Sequence, residues 1–250
     1  MGLLLAGMFC MVAAPGPQEG ARVYRSFCAT CHGARGDGDG PSARFLELRP
    51  RDFTLGDFEF TTVEYGSAPR VEDVERTVAS GLGGTPMPAF ARVLTAAEIR
   101  AVAEYVLALS PTPMPAGTPV ALPEPTQDSP EARQRGAALY SGAGCASCHG
   151  SEGRADGPAA ATLVTSAGHP IRPADLTRAV FKSGAGATAI FRVVSTGLAG
   201  TPMPSYARVL SVEQRWDLAH YVASLAHEPS WWARLSGYLF TDPAGRSTVR

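Results

Sequence analysis

The sequence has almost no lysine, because Lys182 is the only one among its 22 basic residues. The formal net charge is −1, so the chain has no basic excess of the kind that attracts nucleic acid, and no nucleic-acid partner is expected. An apolar stretch near the start, residues 3–15, is far too short to span a bilayer, and no transmembrane span is predicted. What the sequence does have is 250 residues, 45% of them hydrophobic, which is enough for two domains with their own cores.

Cysteine is also scarce, and four of the five cysteines lie in two copies of C-x-x-C-H. CATCHGARGDGDGP begins at Cys28 and CASCHGSEGRADGP begins at Cys145. Two thiols can capture the vinyl groups of haem as thioethers, and the adjacent imidazole can reach the iron. C-x-x-C alone also fits a zinc site or a redox dithiol. Zinc would need the two pairs to converge across 117 residues of chain, and a dithiol needs no adjacent histidine. We therefore predict two covalently attached haem c groups, bound through Cys28, Cys31, Cys145 and Cys148.

The similarity between the two halves extends well beyond the cysteine motifs. Residues 81–109 match residues 197–225 at a constant offset of 116. RPRDFT at 49–54 matches RPADLT at 172–177. Between the copies, seven of the residues 110–130 are proline, which excludes a helix or a central strand there. The sequence therefore predicts a tandem duplication joined by a semi-stiff, extended linker.

These patterns divide the chain into five segments. We predict a signal-like apolar leader over 1–17, a first domain over 18–112, a linker over 113–129, a second domain over 130–228 and an aromatic tail over 229–250. The leader lacks a basic n-region, and Cys10 does not follow the small residue that a lipoprotein signal needs. The tail has two interpretations, since it can pack on its own domain or dock on a partner subunit or a membrane surface.

Helical periodicity is clearest at the end of each copy. A polar residue three positions after a Ser or Thr predicts a capping box there, formed by Thr95 with Glu98 and by Ser211 with Gln214. The apolar faces behind the caps comprise Ile99, Val102, Ala103 and Val106, and then Leu218, Ala219, Val222 and Leu225. Further helices are predicted over 19–30 and from about 70 to 80. The glycine- and proline-rich stretches between helices predict loops that wrap a cofactor.

The second axial ligand of each iron is predicted to be a methionine. The repeated G-T-P-M-P places Met87 and Met203 at 55 and 54 residues beyond His32 and His149. Flanking prolines restrict the backbone and can hold a thioether sulfur in place. The alternative is that these methionines fill the core. Met114 competes in the first copy, but it lies in the linker and has no counterpart. We predict that iron is bound by His32, Met87, His149 and Met203.

Together these features resemble the class I c-type cytochromes in a tandem dihaem form. The motif C-x-x-C-H, a later M-P loop and a closing helix follow in that order over roughly residues 19–110 and 131–226. The resemblance implies an all-α fold of two tandem cytochrome c-like domains, each a few helices wrapped around one covalently bound haem.

The resemblance also implies local contacts around each haem. The first and last helices of each copy are expected to cross at a glycine, Gly20 or Gly136, beside paired tyrosines. A proline carbonyl after the motif, from Pro41 or Pro158, is expected to hold the other ring nitrogen of each histidine. An insertion near 166–171 in the second copy should make the two haem surroundings differ. His169, within it, could be a surface histidine or a rival ligand, and we interpret it as a surface residue. We interpret His220, on the last helix, as solvent-facing.

The implied role is a dihaem electron carrier or an electron-transfer subunit rather than an enzyme, because a His/Met iron has no open position for substrate. We expect single electrons to pass from a redox-protein donor to an acceptor. The candidates are a respiratory or molybdenum-type oxidoreductase complex, with the tail as a docking element, and an oxidase. The alternative is a dihaem enzyme such as a peroxidase, with one labile axial ligand. Haem attachment of this kind indicates the bacterial periplasm or the outer face of the cytoplasmic membrane.

Overall fold

A computed structural model describes residues 16–111, 114–178, 180–184 and 186–226. Residues 1–15 of the predicted leader, with Cys10, and the aromatic tail lie outside the described residues. The described residues form four α-helices in each half. The first half contains Pro17–Phe27 (α1), Ala29–His32 (α2), Val71–Ser80 (α3) and Ala96–Leu107 (α4). The second half contains Pro130–Gly142 (α5), Ala146–His149 (α6), Ala187–Thr196 (α7) and Val212–Leu225 (α8). The described residues form only isolated β-bridges and no strand, so the all-α prediction is confirmed.

The first and last helices of each domain cross at a glycine, as expected. A side chain at Gly20 would collide with the Ala101 carbonyl oxygen of α4 and come within 2.8 Å of the Tyr105 Cβ atom. In the second domain, a side chain at Gly136 would meet α8 at Asp217 and Tyr221. Only glycine allows so close an approach of two helix backbones. Paired tyrosine rings flank each crossing, with centroids 5.2 Å apart for Tyr24 and Tyr105 and 5.5 Å apart for Tyr140 and Tyr221.

The closing helices begin at the predicted caps. The Thr95 hydroxyl accepts a hydrogen bond from the Glu98 N–H at 3.2 Å, and the Glu98 carboxylate accepts one from the Thr95 N–H at 2.9 Å. Ser211 and Gln214 repeat the reciprocal pair in α8. Of the predicted apolar faces, Leu225 is partly buried, and the buried members are Ile99, Val102, Ala103, Val106, Leu218, Ala219 and Val222.

The linker lies against both domains. Its N–H and carbonyl groups bond to the loop that precedes α3, including a 2.8 Å bond from the Val120 N–H to the Thr62 carbonyl. Further along, the Thr126 hydroxyl and carbonyl lie 3.1 and 3.0 Å from Nε2 of His220. His220 is only 4% exposed, so its interpretation as solvent-facing was wrong: the linker covers this side of α8. His169 is exposed, in agreement with its interpretation.

The two domains meet through side chains of both. Lys182 Nζ lies 3.8 Å from a Glu59 carboxylate oxygen, and an Arg208 guanidinium nitrogen lies 3.7 Å from Glu64. The inserted segment of the second domain contributes as well, because the Ser166 hydroxyl donates to Asp57 at 2.5 Å. The insertion is therefore part of the domain junction. Within the described ranges, no helix is both long enough and apolar enough to cross a membrane.

Candidate haem sites

Each C-x-x-C-H motif folds as a short helical turn at the end of a longer helix. Cys28 ends α1, where its N–H donates to the Tyr24 carbonyl at 2.8 Å, and the chain then turns into α2. Residues three and four positions apart lie on one face of a helix, so Cys28, Cys31 and His32 share a face. The same turn in α6 places Cys145, Cys148 and His149 in the second domain. The two cysteine pairs are therefore held in separate domains.

Each motif histidine bonds to a backbone carbonyl through Nδ1. His32 Nδ1 lies 3.1 Å from the Arg51 carbonyl oxygen, and His149 Nδ1 lies 2.9 Å from the Ala174 carbonyl oxygen. A carbonyl can only accept, so Nδ1 carries the proton and the Nε2 lone pair is available to a metal. Burial lowers the pKa of both imidazoles below the ordinary value, which keeps them neutral as ligation requires.

The expectation that Pro41 and Pro158 supply these carbonyls was wrong. Arg51 and Ala174 occupy the third position of the repeated R-P-x-D-x-T segments, and a backbone carbonyl has no residue type by which a sequence could reveal it. The repetition of RPRDFT and RPADLT was the available signal, because a segment repeated far from the cysteine motif has a role in both copies.

A side-chain turn fixes the backbone beside each carbonyl. The Asp52 carboxylate accepts hydrogen bonds from the Thr54 N–H and hydroxyl, at 2.8 and 2.5 Å. Asp175 accepts the same pair from Thr177, at 3.0 and 2.6 Å. These aspartates follow Arg51 and Ala174 directly, so they position the carbonyls that orient the histidines. Sequence reasoning did not identify them.

Both predicted methionine ligands lie in loops with the same hydrogen bonds. The Met87 N–H donates to the Thr85 hydroxyl and the Met203 N–H to the Thr201 hydroxyl, each at 3.2 Å. The Met87 carbonyl accepts from the Leu82 N–H at 3.1 Å. The threonine turn and the flanking prolines thus fix the backbone of the methionine in both loops.

A cavity in the first domain brings the predicted site residues together. Cys28, Cys31, His32 and Met87 all line it, and it encloses about 1320 Å³ including the space at its open side. Most of its remaining wall is apolar, formed in part by Phe53, Phe58, Val74, Val78, Val102 and Val106. Burial raises the pKa of the Cys28 thiol to about 11, so the free thiol is protonated at neutral pH. The cavity thus offers two thiols, one imidazole and one thioether within an apolar enclosure.

Comparison with known proteins gives a family to each domain. Residues 15–106 match the family described as "Cytochrome C oxidase, cbb3-type, subunit III", and residues 133–226 match the family "Cytochrome c". The chain belongs to the cytochrome c family. It is a tandem form with two cytochrome c domains, which carry two covalently bound haem c groups.

Several relatives share the tandem arrangement over most of this cytochrome. The cbb3-type cytochrome c oxidase subunit CcoP of Rubrivivax gelatinosus is 29% identical over 83% of this chain and 54% of its own length. Subunit FixPc of Rhizobium leguminosarum bv. viciae is 29% identical over 82% of this chain and 60% of its own. The chain thus spans little more than half the length of these curated relatives. A chain from the reducing HAO-like protein complex of Kuenenia stuttgartiensis has a TM-score of 0.81 and 37% identity, covering 86% of this chain and 99% of that one.

The residues of the first-domain cavity fit a covalently bound haem c. Its thiols lie three residues apart on one helical face, the free nitrogen of its histidine belongs to the neutral tautomer, and the surrounding wall is apolar. The second domain repeats the helical turn, the histidine–carbonyl bond and the methionine loop. Haem c therefore suits the chemistry of the side chains in both domains of this cytochrome.

Proposed function

We propose that this cytochrome transfers single electrons between redox partners through two haem groups that are each ligated by a histidine and a methionine. The observation that carries the proposal is the repetition of one ligand arrangement in both domains. Each has a neutral histidine held through Nδ1 by a carbonyl, and a methionine in a loop braced by threonine. A matched pair of saturated irons is suited to passing electrons and not to binding substrate.

Different residues would attach the haem, ligate its iron and shield it from water. Cys28, Cys31, Cys145 and Cys148 attach it as thioethers. His32 with Met87, and His149 with Met203, would supply the ligands of the two irons. Haem c supplies a one-electron iron couple when bound, and a thioether ligand raises its reduction potential. The apolar side chains exclude water, and the carbonyls of Arg51 and Ala174 keep the imidazoles oriented.

A carrier or a subunit role is favoured over catalysis of substrate chemistry. A peroxidase would need one iron able to lose its axial ligand, and the hydrogen bonds that hold Met87 and Met203 are the same in both domains. The named relatives are subunits of cbb3-type cytochrome c oxidases, which supports a place in a respiratory complex. We assign the protein to the bacterial periplasm or the outer face of the cytoplasmic membrane, where the aromatic tail would dock on a partner.

An electron-transfer assay tests this function directly. Holoprotein of the full chain, reduced without air, should deliver two electrons per chain to a cytochrome c-accepting oxidase in detergent-solubilised bacterial membranes. The expected record is rapid oxidation of both haem groups in stopped-flow absorbance, with no hydrogen peroxide turnover by the protein alone. Peroxide turnover at enzymatic rates, or oxidation of one haem only, would contradict the carrier assignment.

A further inference from the structure

A second cavity lies at the junction of the two domains and is lined by three cationic side chains. Arg76 reaches it from α3, Arg192 from α7 and Lys182 from the loop before α7. None of the described residues that line this cavity carries a carboxylate. Cationic side chains gathered without an anion repel one another, and burial increases the cost of that repulsion.

Two of the three cations have carboxylate partners, and both carboxylates line the adjoining first-domain cavity. An Arg76 guanidinium nitrogen lies 2.7 Å from a carboxylate oxygen of Asp73, which is 1% exposed, and Lys182 lies 3.8 Å from Glu59. Arg192 differs, because its Nε is buried with no hydrogen-bond partner among the described residues. The repeat explains this difference: Ala189 stands at the position in α7 that corresponds to Asp73 in α3.

The surroundings of Arg192 disfavour the charged form of its guanidinium. Burial, together with the neighbouring Arg76 charge, lowers the pKa of the Arg192 guanidinium below its ordinary value. An arginine stays charged in proteins, so the unpartnered Nε of Arg192 leaves a charged donor available to an anion. A planar guanidinium is suited to binding a carboxylate through paired hydrogen bonds.

The position of the cavity indicates which carboxylate this is. The junction cavity and the first-domain haem cavity share four lining residues, Phe60, Thr77, Leu82 and Lys182, so the two spaces adjoin. Each haem c carries two propionate carboxylates, which are the anions that the cofactor itself brings. A carboxylate extending from the first cavity toward the second domain would reach the three cations.

We propose that the junction cavity is a propionate-binding site, in which Arg192 of the second domain, with Arg76 and Lys182 beside it, binds a carboxylate of the first-domain haem c. Arg192 is then a positioning residue that acts on a haem in the other domain. The site also ties the domains together, since the contact forms only when both are present. This inference rests on the two bound haem groups and not on the identity of any redox partner.

The proposal predicts a shift in reduction potential. A guanidinium charge near the iron favours the reduced state, which carries one positive charge fewer. Replacing Arg192 by glutamine should lower the first-domain potential. The equilibrium constant for reduction of that haem should fall by about three- to tenfold. The tenfold limit corresponds to about 59 mV for a one-electron couple. The second haem should shift less.

The test is a spectroelectrochemical titration of the full-chain holoprotein with four matched variants. Arg192→Gln should lower one potential, and Arg192→Lys, which keeps the charge, should restore most of it. Ala189→Asp gives Arg192 the partner that Arg76 has in Asp73, and it should lower the same potential while leaving the arginine in place. Arg133→Gln removes an exposed arginine that lines neither cavity and should leave both potentials unchanged.

Two results would overturn the proposal. Equal potentials in the wild type, Arg192→Gln and Ala189→Asp would show that no haem carboxylate is bound there. A wild-type potential that shifts saturably with added inorganic phosphate, and a variant that does not respond, would show a free anion in the cavity. Each variant is checked for two haem groups and for the near-infrared methionine-to-iron band. Loss of that band would instead show that the variant has lost methionine ligation, which concerns the proposed function and not the propionate-binding site.

Discussion

The two domains differ most where the middle helix packs on the last helix. In the first domain, Glu75 of α3 and Arg100 of α4 form an ion pair at 3.2 Å, with the arginine side chain 51% exposed. The corresponding residues of the second domain are Phe191 and Trp216. Their rings stack with centroids 4.1 Å apart, and both are 1% exposed. The same pair of repeat positions therefore holds a partly exposed ion pair in the first domain and a buried aromatic stack in the second.

The haem-facing contacts do not follow this difference. Both domains keep the glycine at the helix crossing, the tyrosine pair, the aspartate–threonine turn and the threonine-braced methionine loop. The ion pair lies between α3 and α4, and the aromatic stack lies at the corresponding contact between α7 and α8. Despite this difference, the lengths of the shared hydrogen bonds agree between the two domains within a few tenths of an ångström. The comparison shows that a small group of shared contacts positions the haem-binding residues. The side chains that pack the helices behind those contacts can differ between charged and aromatic residues.

Trp216→Ala and Arg100→Ala should differ strongly in their effect on the stability of their domains. Removing a fully buried tryptophan costs about 3–5 kcal/mol, whereas an exposed ion pair contributes about 0–1 kcal/mol. We therefore expect Trp216→Ala to unfold the second domain at lower denaturant and Arg100→Ala to leave the first nearly unchanged. Hydrogen exchange by mass spectrometry, read separately for α7–α8 and α3–α4, measures both. Equal effects would mean that the aromatic stack adds no stability over the ion pair.

A side chain at the helix crossing should have the next largest effect. Gly136→Ala would place its Cβ 2.7 Å from the Tyr221 Cβ atom and against the Asp217 carbonyl, so overpacking should cost about 1–3 kcal/mol. Gly142→Ala is the matched control on the same helix, since its Cβ would meet nothing within 4 Å. The control should be neutral or slightly stabilising in denaturant titrations. A Gly136→Ala variant as stable as the control would contradict the close crossing.

The smallest expected effect concerns the turn that holds the histidine carbonyl. Burial opposes the charge of Asp175, but hydrogen bonds from Thr177, together with the charges of Arg178 and Arg154, outweigh it and lower the pKa of this carboxyl. A carboxyl with a lowered folded pKa contributes stability above its unfolded value, near pH 4, and loses it as the pH falls through the folded value. Asp175→Asn should cost about 1 kcal/mol at pH 7 and flatten this acid dependence.

Thermal unfolding of the wild type and Asp175→Asn between pH 7 and pH 3 provides the measurement. The difference between their melting temperatures should shrink on acidification, because protonation removes from the wild type the charge that the variant already lacks. A difference that is constant with pH would show that the charge of Asp175 does not support the turn.

Much of this architecture could be predicted from the sequence, because its signals are local or repeated. The capping boxes at Thr95 and Ser211 mark the closing helices, and the crossing glycines followed from the family resemblance. The carbonyls of Arg51 and Ala174 could not be predicted, since any residue supplies a carbonyl. His220 is buried by the linker, a contact between residues that lie far apart in sequence and carry no shared pattern.

The role of the junction cations could be foreseen only in part. Arg76 and Arg192 align across the repeat, which makes both of them candidates for pairing with haem propionates or for ordinary solvated arginines, but the alignment does not predict that Arg192 faces the other domain. Comparison of the copies shows that Arg76 has Asp73 three residues before it, where Arg192 has Ala189. Only the packing of the two domains shows that Arg192 lines one cavity together with Arg76 and Lys182. Interfaces between repeats depend on how the copies are joined, and a comparison of one copy with the other does not contain that information.

Carbon monoxide titration of the reduced holoprotein tests the central claim, that both domains hold the same saturated iron, most directly. Because carbon monoxide needs a vacant ferrous position, the wild-type spectrum should barely change near neutral pH. Met87→Ala and Met203→Ala should each make half of the haem reactive, while Met114→Ala, a linker methionine beside Gly56, should make none reactive. Stoichiometric binding of carbon monoxide to one haem of the unmodified protein would contradict the account and favour a dihaem enzyme.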